Sequence, residues 1–158
     1  MPRTLPVLLV AVTALISPAA YAVDTEEQPG AAALDPDFAA GKKAIEARSW
    51  NAAIKPLSAA ALRDPSNADI QNLLGFAYRK TGQLESAFRH YRRALELNPR
   101  HRCAHEYIGE AYLMVNNLAK AEEHLEALRK ICLLPCEELA DLERQVAAYV
   151  KRSGAGLP

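Results

Sequence analysis

The segment LLGFAYRKTGQLESAFRHYRRALELNP, residues 73–99, decides the fold of this chain. Its apolar residues recur at helical spacing in two runs, which Thr81 and Gly82 separate. Asn98 and Pro99 end the second run, because proline cannot continue a helix. The segment therefore predicts two helices joined by a short turn.

The same spacing recurs on both sides of this segment at an interval of 34 residues. Four residue types keep the interval: Gly41, Gly75 and Gly109; Ala53, Ala87 and Ala121; Pro65 and Pro99; Tyr78 and Tyr112. Small residues at fixed places let paired helices approach closely, and no such pair buries its apolar face alone. The sequence therefore predicts an all-α solenoid of stacked helix-turn-helix units.

At these positions the chain resembles the tetratricopeptide repeat family. The middle repeat keeps most of the family motif: Leu74, Gly75, Tyr78, Ala87, Tyr91, Ala94 and Pro99. The third repeat departs from the motif at its end, where Leu133 stands in place of the closing proline. The resemblance implies an α-solenoid of three repeats, at about residues 34–67, 68–101 and 102–133, and a C-terminal capping helix at about 135–151. We expect the helices at roughly 36–47, 50–63, 67–81, 84–97, 101–115, 118–131 and 135–151.

Residues 1–22 predict a secretory signal peptide that is cleaved after Ala22. Arg3 precedes an apolar run at residues 5–16, and this run is too short to span a bilayer comfortably. We therefore expect a periplasmic or secreted protein that is not held in the membrane after cleavage. The remaining predicted segments are a flexible leader at 23–35, the repeat domain at 36–152 and a disordered tail at 153–158.

Composition and motifs argue against catalysis and against nucleic-acid binding. Lysine plus arginine number 19, and aspartate plus glutamate also number 19. The basic string at residues 89–93 lies on a predicted second helix, where a solvated face is the simpler interpretation. The chain has no serine-histidine-acid constellation and no glycine-rich phosphate loop. We expect neither enzymatic activity nor a cofactor.

The cysteines allow several interpretations. Pro135 should end one helix between Cys132 and Cys136, so the two thiols flank a turn and a disulfide could pin the capping helix. Two reduced buried thiols, or a redox-active or metal-binding pair, remain alternatives. Cys103 is the odd thiol, and it either packs in its helix or pairs with another molecule.

The string His101, Cys103 and His105 contains residue types that bind metals. Positions two apart on a helix do not share a face, however, so packing and a solvated turn are the better explanations. We therefore expect no metal site here.

The resemblance implies that the first helices of the repeats line a concave groove. The family's groove positions correspond here to Phe38, Lys42, Ile45, Asp69, Asn72, Phe76, Arg79, Cys103, Glu106, Glu110 and Leu113. We take as the candidate binding set Phe38, Lys42, Asn72, Phe76, Arg79, Glu106 and Glu110. The family's clamp for a terminal carboxylate is not expected, because Phe38 and Leu73 depart from its pattern.

These residues predict a non-enzymatic adaptor that binds a partner protein or peptide in the groove. The alternative function is a thiol-disulfide accessory factor that uses Cys132 and Cys136. The sequence leaves a homo-oligomer possible.

Overall fold

The computed structural model describes residues 35–154, and these residues form seven α-helices and no strand. The helices are α1 (Pro36–Glu46), α2 (Trp50–Arg63), α3 (Ala68–Lys80), α4 (Leu84–Leu97), α5 (Arg102–Met114), α6 (Leu118–Ile131) and α7 (Glu137–Ser153). All bounds lie within two residues of those expected from the sequence. The predicted signal peptide, the leader up to residue 34 and residues 155–158 of the tail lie outside the described residues.

The first helices begin where a side chain accepts hydrogen bonds from free backbone N–H groups. The Asp35 carboxylate accepts from the N–H groups of Asp37 and Phe38 at 2.8 and 3.0 Å. Asn67 caps α3 in the same way by accepting from the Ile70 N–H at 3.1 Å. Such caps satisfy donors that have no partner inside the helix, so these residues determine where each repeat begins.

In the first two repeats the two helices meet where a glycine lies against a large side chain. A Cβ atom on Gly75 would lie 2.6 Å from the Tyr91 ring, and one on Gly41 would lie 2.5 Å from Leu57. Helix α3 therefore packs closely on α4, and α1 on α2, because these positions carry no side chain. In the first two repeats the recurring glycines thus mark the contacts within the helical pair.

The pairs then stack into a continuous apolar core. Ile70 and Leu74 of α3 pack with Leu57 of α2, and Ile108 of α5 packs with Tyr91 of α4. A third cluster joins α5, α6 and α7. The expectation of an all-α solenoid is confirmed.

Helix α7 caps the third repeat and packs against α5 and α6. Its Leu142 and Val146 are buried. Leu142 occupies the place beside Gly109 that the second helix of the pair occupies in the first two repeats, since a Cβ there would lie 2.7 Å from it. Between residues 35 and 154 no helix combines the length and apolar character needed to cross a membrane.

Candidate functional site

Helices α1, α3, α5 and α7 follow one another along one side of the solenoid, and we term this side the groove face. Its aromatic row consists of Trp50, Phe76 and Tyr107. Trp50 meets Phe76 edge-on with ring centroids 5.5 Å apart, and Phe76 meets Tyr107 at 4.8 Å. The exposed Lys80 places its Nζ 5.8 Å from the Trp50 centroid and 5.3 Å from that of Phe76. The row contains one residue from each of the three repeats, and the ammonium group of Lys80 lies beside its first two rings.

Arg79, one of the predicted binding residues, is buried beneath this row and is only 7 % exposed. Its Nη1 lies 2.5 Å from Oε2 of Glu110, and its Nε donates to the Tyr91 hydroxyl at 3.2 Å. Its guanidinium also lies over the rings of Phe76 and Tyr107, at 5.3 and 5.4 Å. Burial opposes the charge, but Tyr91 and Glu110 outweigh burial and raise the pKa of Arg79. Arg79 and Glu110 therefore bind each other and join α3 to α5.

An acidic cluster lies where α5 meets α7, and its members are Glu106, Glu110, Glu138 and Asp141. Glu106 is 7 % exposed and makes no hydrogen bond or ion pair within residues 35–154. Burial raises its pKa to about 8, and the negative charges of the other three acids add to this effect. A carboxyl group in this position is largely protonated at neutral pH.

The remaining predicted groove residues divide into buried and exposed positions. Phe38 is 9 % exposed and belongs to the core of the first repeat. Lys42 is exposed, and its Nζ lies 5.7 Å from the Phe38 ring centroid. Asn72 is 4 % exposed, and its Oδ1 has no donor in the described part of the chain. Within the predicted binding set, Lys42 is thus exposed, Phe76 and Glu110 are half-buried, and the other members are buried.

Sequence reasoning missed Trp50 and Tyr107 as groove residues. Tyr107 stands 34 residues after Leu73, a position that the comparison with the family's carboxylate clamp had used, so the repeat register could have identified it. Trp50 gave no such signal, because it is the first residue of a second helix and reaches the groove face only through its contact with Phe76.

Cys132 and Cys136 are joined as a disulfide in the structure, with Sγ atoms 2.05 Å apart and Cα atoms 6.0 Å apart. Cys132 is the C-cap of α6, and Cys136 is the N-cap of α7. The oxidation state of this pair in the cell stays a prediction. Cys103 is half-buried and donates to Glu138 at 3.7 Å. Burial, and then the Glu138 charge, raises the pKa of Cys103 to about 11, which disfavours the reactive thiolate.

The side chains of the His101, Cys103 and His105 string have different partners. His101 caps α5 by accepting from the Ala104 N–H through Nδ1 at 3.2 Å, and its Nε2 lies 3.0 Å from Asp69. The Nδ1 of His105 lies 2.9 Å from that of His124. No group of three or more His, Cys, Asp or Glu residues suited to a metal ion occurs in residues 35–154.

Comparison with known proteins supports the same architecture. The tetratricopeptide repeat family model matches residues 68–101. No curated protein matches the chain. Among solved structures, the type III secretion translocator chaperone SycD of Yersinia enterocolitica has a TM-score of 0.70 at 16 % identity, covering 81 % of this chain and 90 % of that one. The TPR2B domain of yeast Sti1, in its pHsp70 complex, has a TM-score of 0.68 at 19 % identity, covering 73 % of this chain and 94 % of that one.

A third similar structure is PcrH in complex with the chaperone-binding region of PopD. Its TM-score is 0.67 at 21 % identity, covering 77 % of this chain and 93 % of that one. At identities this low, a similar structure shows only that the fold is shared, whereas the family model matches the sequence itself. The family model thus identifies residues 68–101 as a tetratricopeptide repeat, and the similar structures show that the chain shares the solenoid fold of such repeats.

Proposed function

We propose that the chain is a non-enzymatic adaptor that holds an extended segment of a partner protein on its groove face. The observation that carries this proposal is the aromatic row, which runs across all three repeats with Lys80 above it. Aromatic rings contribute large contact areas at little entropic cost, and a neighbouring lysine can bind carbonyl or carboxylate oxygens of a peptide. Two similar structures, of the yeast Sti1 domain and of PcrH, are described as complexes with a segment of another protein.

The alternative of a thiol-disulfide accessory factor gains no support from the cysteine environments. Cys132 and Cys136 join two helix ends, and the raised pKa of Cys103 disfavours its thiolate. The adaptor proposal therefore stands alone.

We further propose that the protein acts after export to the periplasm or outside the cell. The support is the signal-peptide pattern of residues 1–22. Expression of the full chain in a bacterial host, followed by intact-mass measurement of the periplasmic fraction, tests this proposal. We expect a species that begins at Val23, and recovery of the uncleaved chain in the cytoplasm would contradict it.

The groove is tested with the purified protein and an immobilised library of random dodecapeptides. We expect the wild type to retain a subset of peptides and Lys80→Glu to bind that subset about tenfold more weakly, since the variant places a negative charge over the aromatic row. Lys55→Glu is the matched control, because Lys55 is exposed on the second helix α2. The absence of any retained peptide would contradict the proposal, as would an equal loss with Lys55→Glu.

A further inference from the structure

The acidic cluster contains one more acid than the arginines around it can neutralise. Three of its four members each have an arginine partner. The pairs are Arg79 with Glu110 at 2.5 Å, Arg102 with Glu138 at 3.6 Å, and Arg144 with Asp141. Glu106 is the fourth member, and no basic side chain among residues 35–154 forms an ion pair with it.

Glu106 is also the most buried member of the cluster. Its residue is 7 % exposed, whereas the side chains of Glu110, Glu138 and Asp141 are 18, 16 and 30 % exposed. A buried carboxyl group without a partner costs free energy, and natural structures usually pair such a group or use it to bind something. The position of Glu106 therefore suggests a partner that is supplied from outside.

A second acceptor without a donor lies on the same row of groove positions. Asn72 precedes Glu106 by 34 residues and so occupies the equivalent position in the middle repeat. Its Oδ1 is fully buried and has no donor within the described residues. Helix α3 contacts α5 between residues 31 apart, as Phe76 does with Tyr107 and Arg79 with Glu110. The same register places Asn72 beside Cys103, which lies one helical turn before Glu106. The Oδ1 of Asn72 has no contact with solvent, so only the Glu106 carboxyl group, whose oxygens are not fully enclosed, can meet a ligand, and as a carboxylate it accepts hydrogen bonds.

We propose that this end of the groove face binds one cationic side chain, a lysine or arginine, of the partner segment, with Glu106 as its counter-charge. The proposal rests on the proposed function, which supplies the partner segment. Lysine offers three N–H donors and arginine five, and neither offers an acceptor that would compete. The site takes a single cation, because the other three carboxylates already have theirs.

Binding of this cation is coupled to release of a proton. Burial, together with the charges of Glu110 on the same helix and of Glu138 and Asp141 on α7, raises the pKa of Glu106 to about 8, and Arg79 on α3 opposes this rise. At pH 7 the free protein therefore holds a proton on Glu106. A bound cation stabilises the carboxylate, so the proton leaves and affinity rises as the pH increases from 6 to 8.

The test uses the best-bound dodecapeptide of the library and a copy in which its lysine is norleucine, or its arginine is citrulline. We expect the neutral copy to bind the wild type about tenfold more weakly and to bind Glu106→Gln within about twofold of the parent peptide. Glu122→Gln is the matched control, because Glu122 is exposed on α6, and it should behave as the wild type. Calorimetry at pH 7 in buffers of different ionisation enthalpy should show release of nearly one proton with the wild type and none with Glu106→Gln.

Circular dichroism should show that Glu106→Gln is folded, since the change removes an ionisable group but keeps the shape of the side chain. Peptides that bind without any need for a basic residue would overturn this inference while leaving the adaptor proposal intact. An equal loss for the neutral copy in the wild type and in Glu106→Gln would also overturn it. If the library yields no bound peptide, the proposed function itself fails.

Discussion

Arg79 contributes to this molecule mainly as a buried cross-link. Its guanidinium contacts Glu110, Tyr91 and two aromatic rings, so it joins three helices. We expect Arg79→Gln to lower the free energy of unfolding by about 2–4 kcal/mol, because the change leaves Glu110 without its cation in a partly buried site. Urea denaturation measures this loss. Lys42→Gln is the control and should stay within about 0.5 kcal/mol of the wild type, since Lys42 is exposed; a similar effect of both changes would refute the cross-link.

The two linked histidines, His105 and His124, are a second feature at the residue scale. The Nε2 of His105 lies 3.1 Å from the Pro99 carbonyl and must donate to it. The Nδ1 of neutral His105 then accepts the N–H of His124. The middle repeat has Gln71 facing His90 at the equivalent positions, with 2.8 Å between Oε1 and Nδ1. A proton on Nδ1 of His105 would therefore break this hydrogen bond in the third repeat. The middle repeat has no such weakness, because the Gln71 side chain does not take up a proton.

This pair should make the protein less stable in acid. Burial, and then the charge of His105, lowers the pKa of His124 to about 4, and burial also lowers the pKa of His105. Because both folded-state pKa values lie below the unfolded value of about 6.5, the stabilisation is complete above that pH and is lost as the pH falls towards 4. Lys120 opposes protonation of His124, and Glu123 favours it.

We expect His105→Gln to reduce the fall in melting temperature between pH 7 and pH 4.5, because glutamine recreates the arrangement of the middle repeat. Thermal unfolding followed by circular dichroism at several pH values measures it. The control is Glu122→Gln on the exposed face of α6, which leaves the pair intact and should keep the wild-type difference between the two pH values. An unchanged acid sensitivity in His105→Gln would show that the pair is not its source.

At the scale of helices, the glycines of the second and third repeats have different neighbours. Gly75 faces the ring of Tyr91, which is fully buried and accepts a hydrogen bond from Arg79. Gly109 faces the two methyl groups of Leu142, a side chain that is also fully buried but is not held by a hydrogen bond and can change its rotamer. A methyl group at these two positions therefore meets a rigid ring in one case and a flexible side chain in the other.

We expect Gly75→Ala to destabilise the protein by about 1–3 kcal/mol through overpacking. Gly109→Ala should stay within about 1 kcal/mol of the wild type, because the higher helix propensity of alanine offsets a smaller clash. Differential scanning calorimetry of the two variants gives the comparison. Equal melting temperatures for the two variants would contradict the assigned contacts.

The sequence predicted the helices well because their signals are local. Proline, glycine and capping residues stand at the ends of the helices, and the apolar spacing depends only on the 3.6-residue turn.

The candidate site was harder to predict. Repeat register put Arg79 and Glu106 on the same face, but it gave no sign that one is paired and the other is not. That difference depends on which side chains the neighbouring helices bring near.

At the scale of the whole molecule, the solenoid depends on how its last repeat is closed. Helix α7 covers α5 and α6, and the Cys132–Cys136 bond joins the end of α6 to the start of α7. A covalent link across so short a loop stabilises by about 2 kcal/mol in the chain-entropy model.

We therefore expect Cys132→Ser to lower the melting temperature without changing peptide binding on the groove face. The wild type in a reducing agent should melt at the temperature of the variant. Cys103→Ser is the control, and it should respond to the reducing agent as the wild type does. A wild type whose melting is indifferent to reduction would indicate that the bond does not stabilise the cap.

The sequence by itself determined the helical repeat, its 34-residue period and the likeness of its middle repeat to the tetratricopeptide repeat, because these follow from the spacing of small, apolar and helix-ending residues along one chain. Only the tertiary structure decided that Arg79 holds Glu110, that α7 fills the place beside Gly109, and that Glu106 has no partner in the described chain. These outcomes depend on distances between helices of different repeats. Such distances decide which buried charges meet, and no local spacing of residues encodes them.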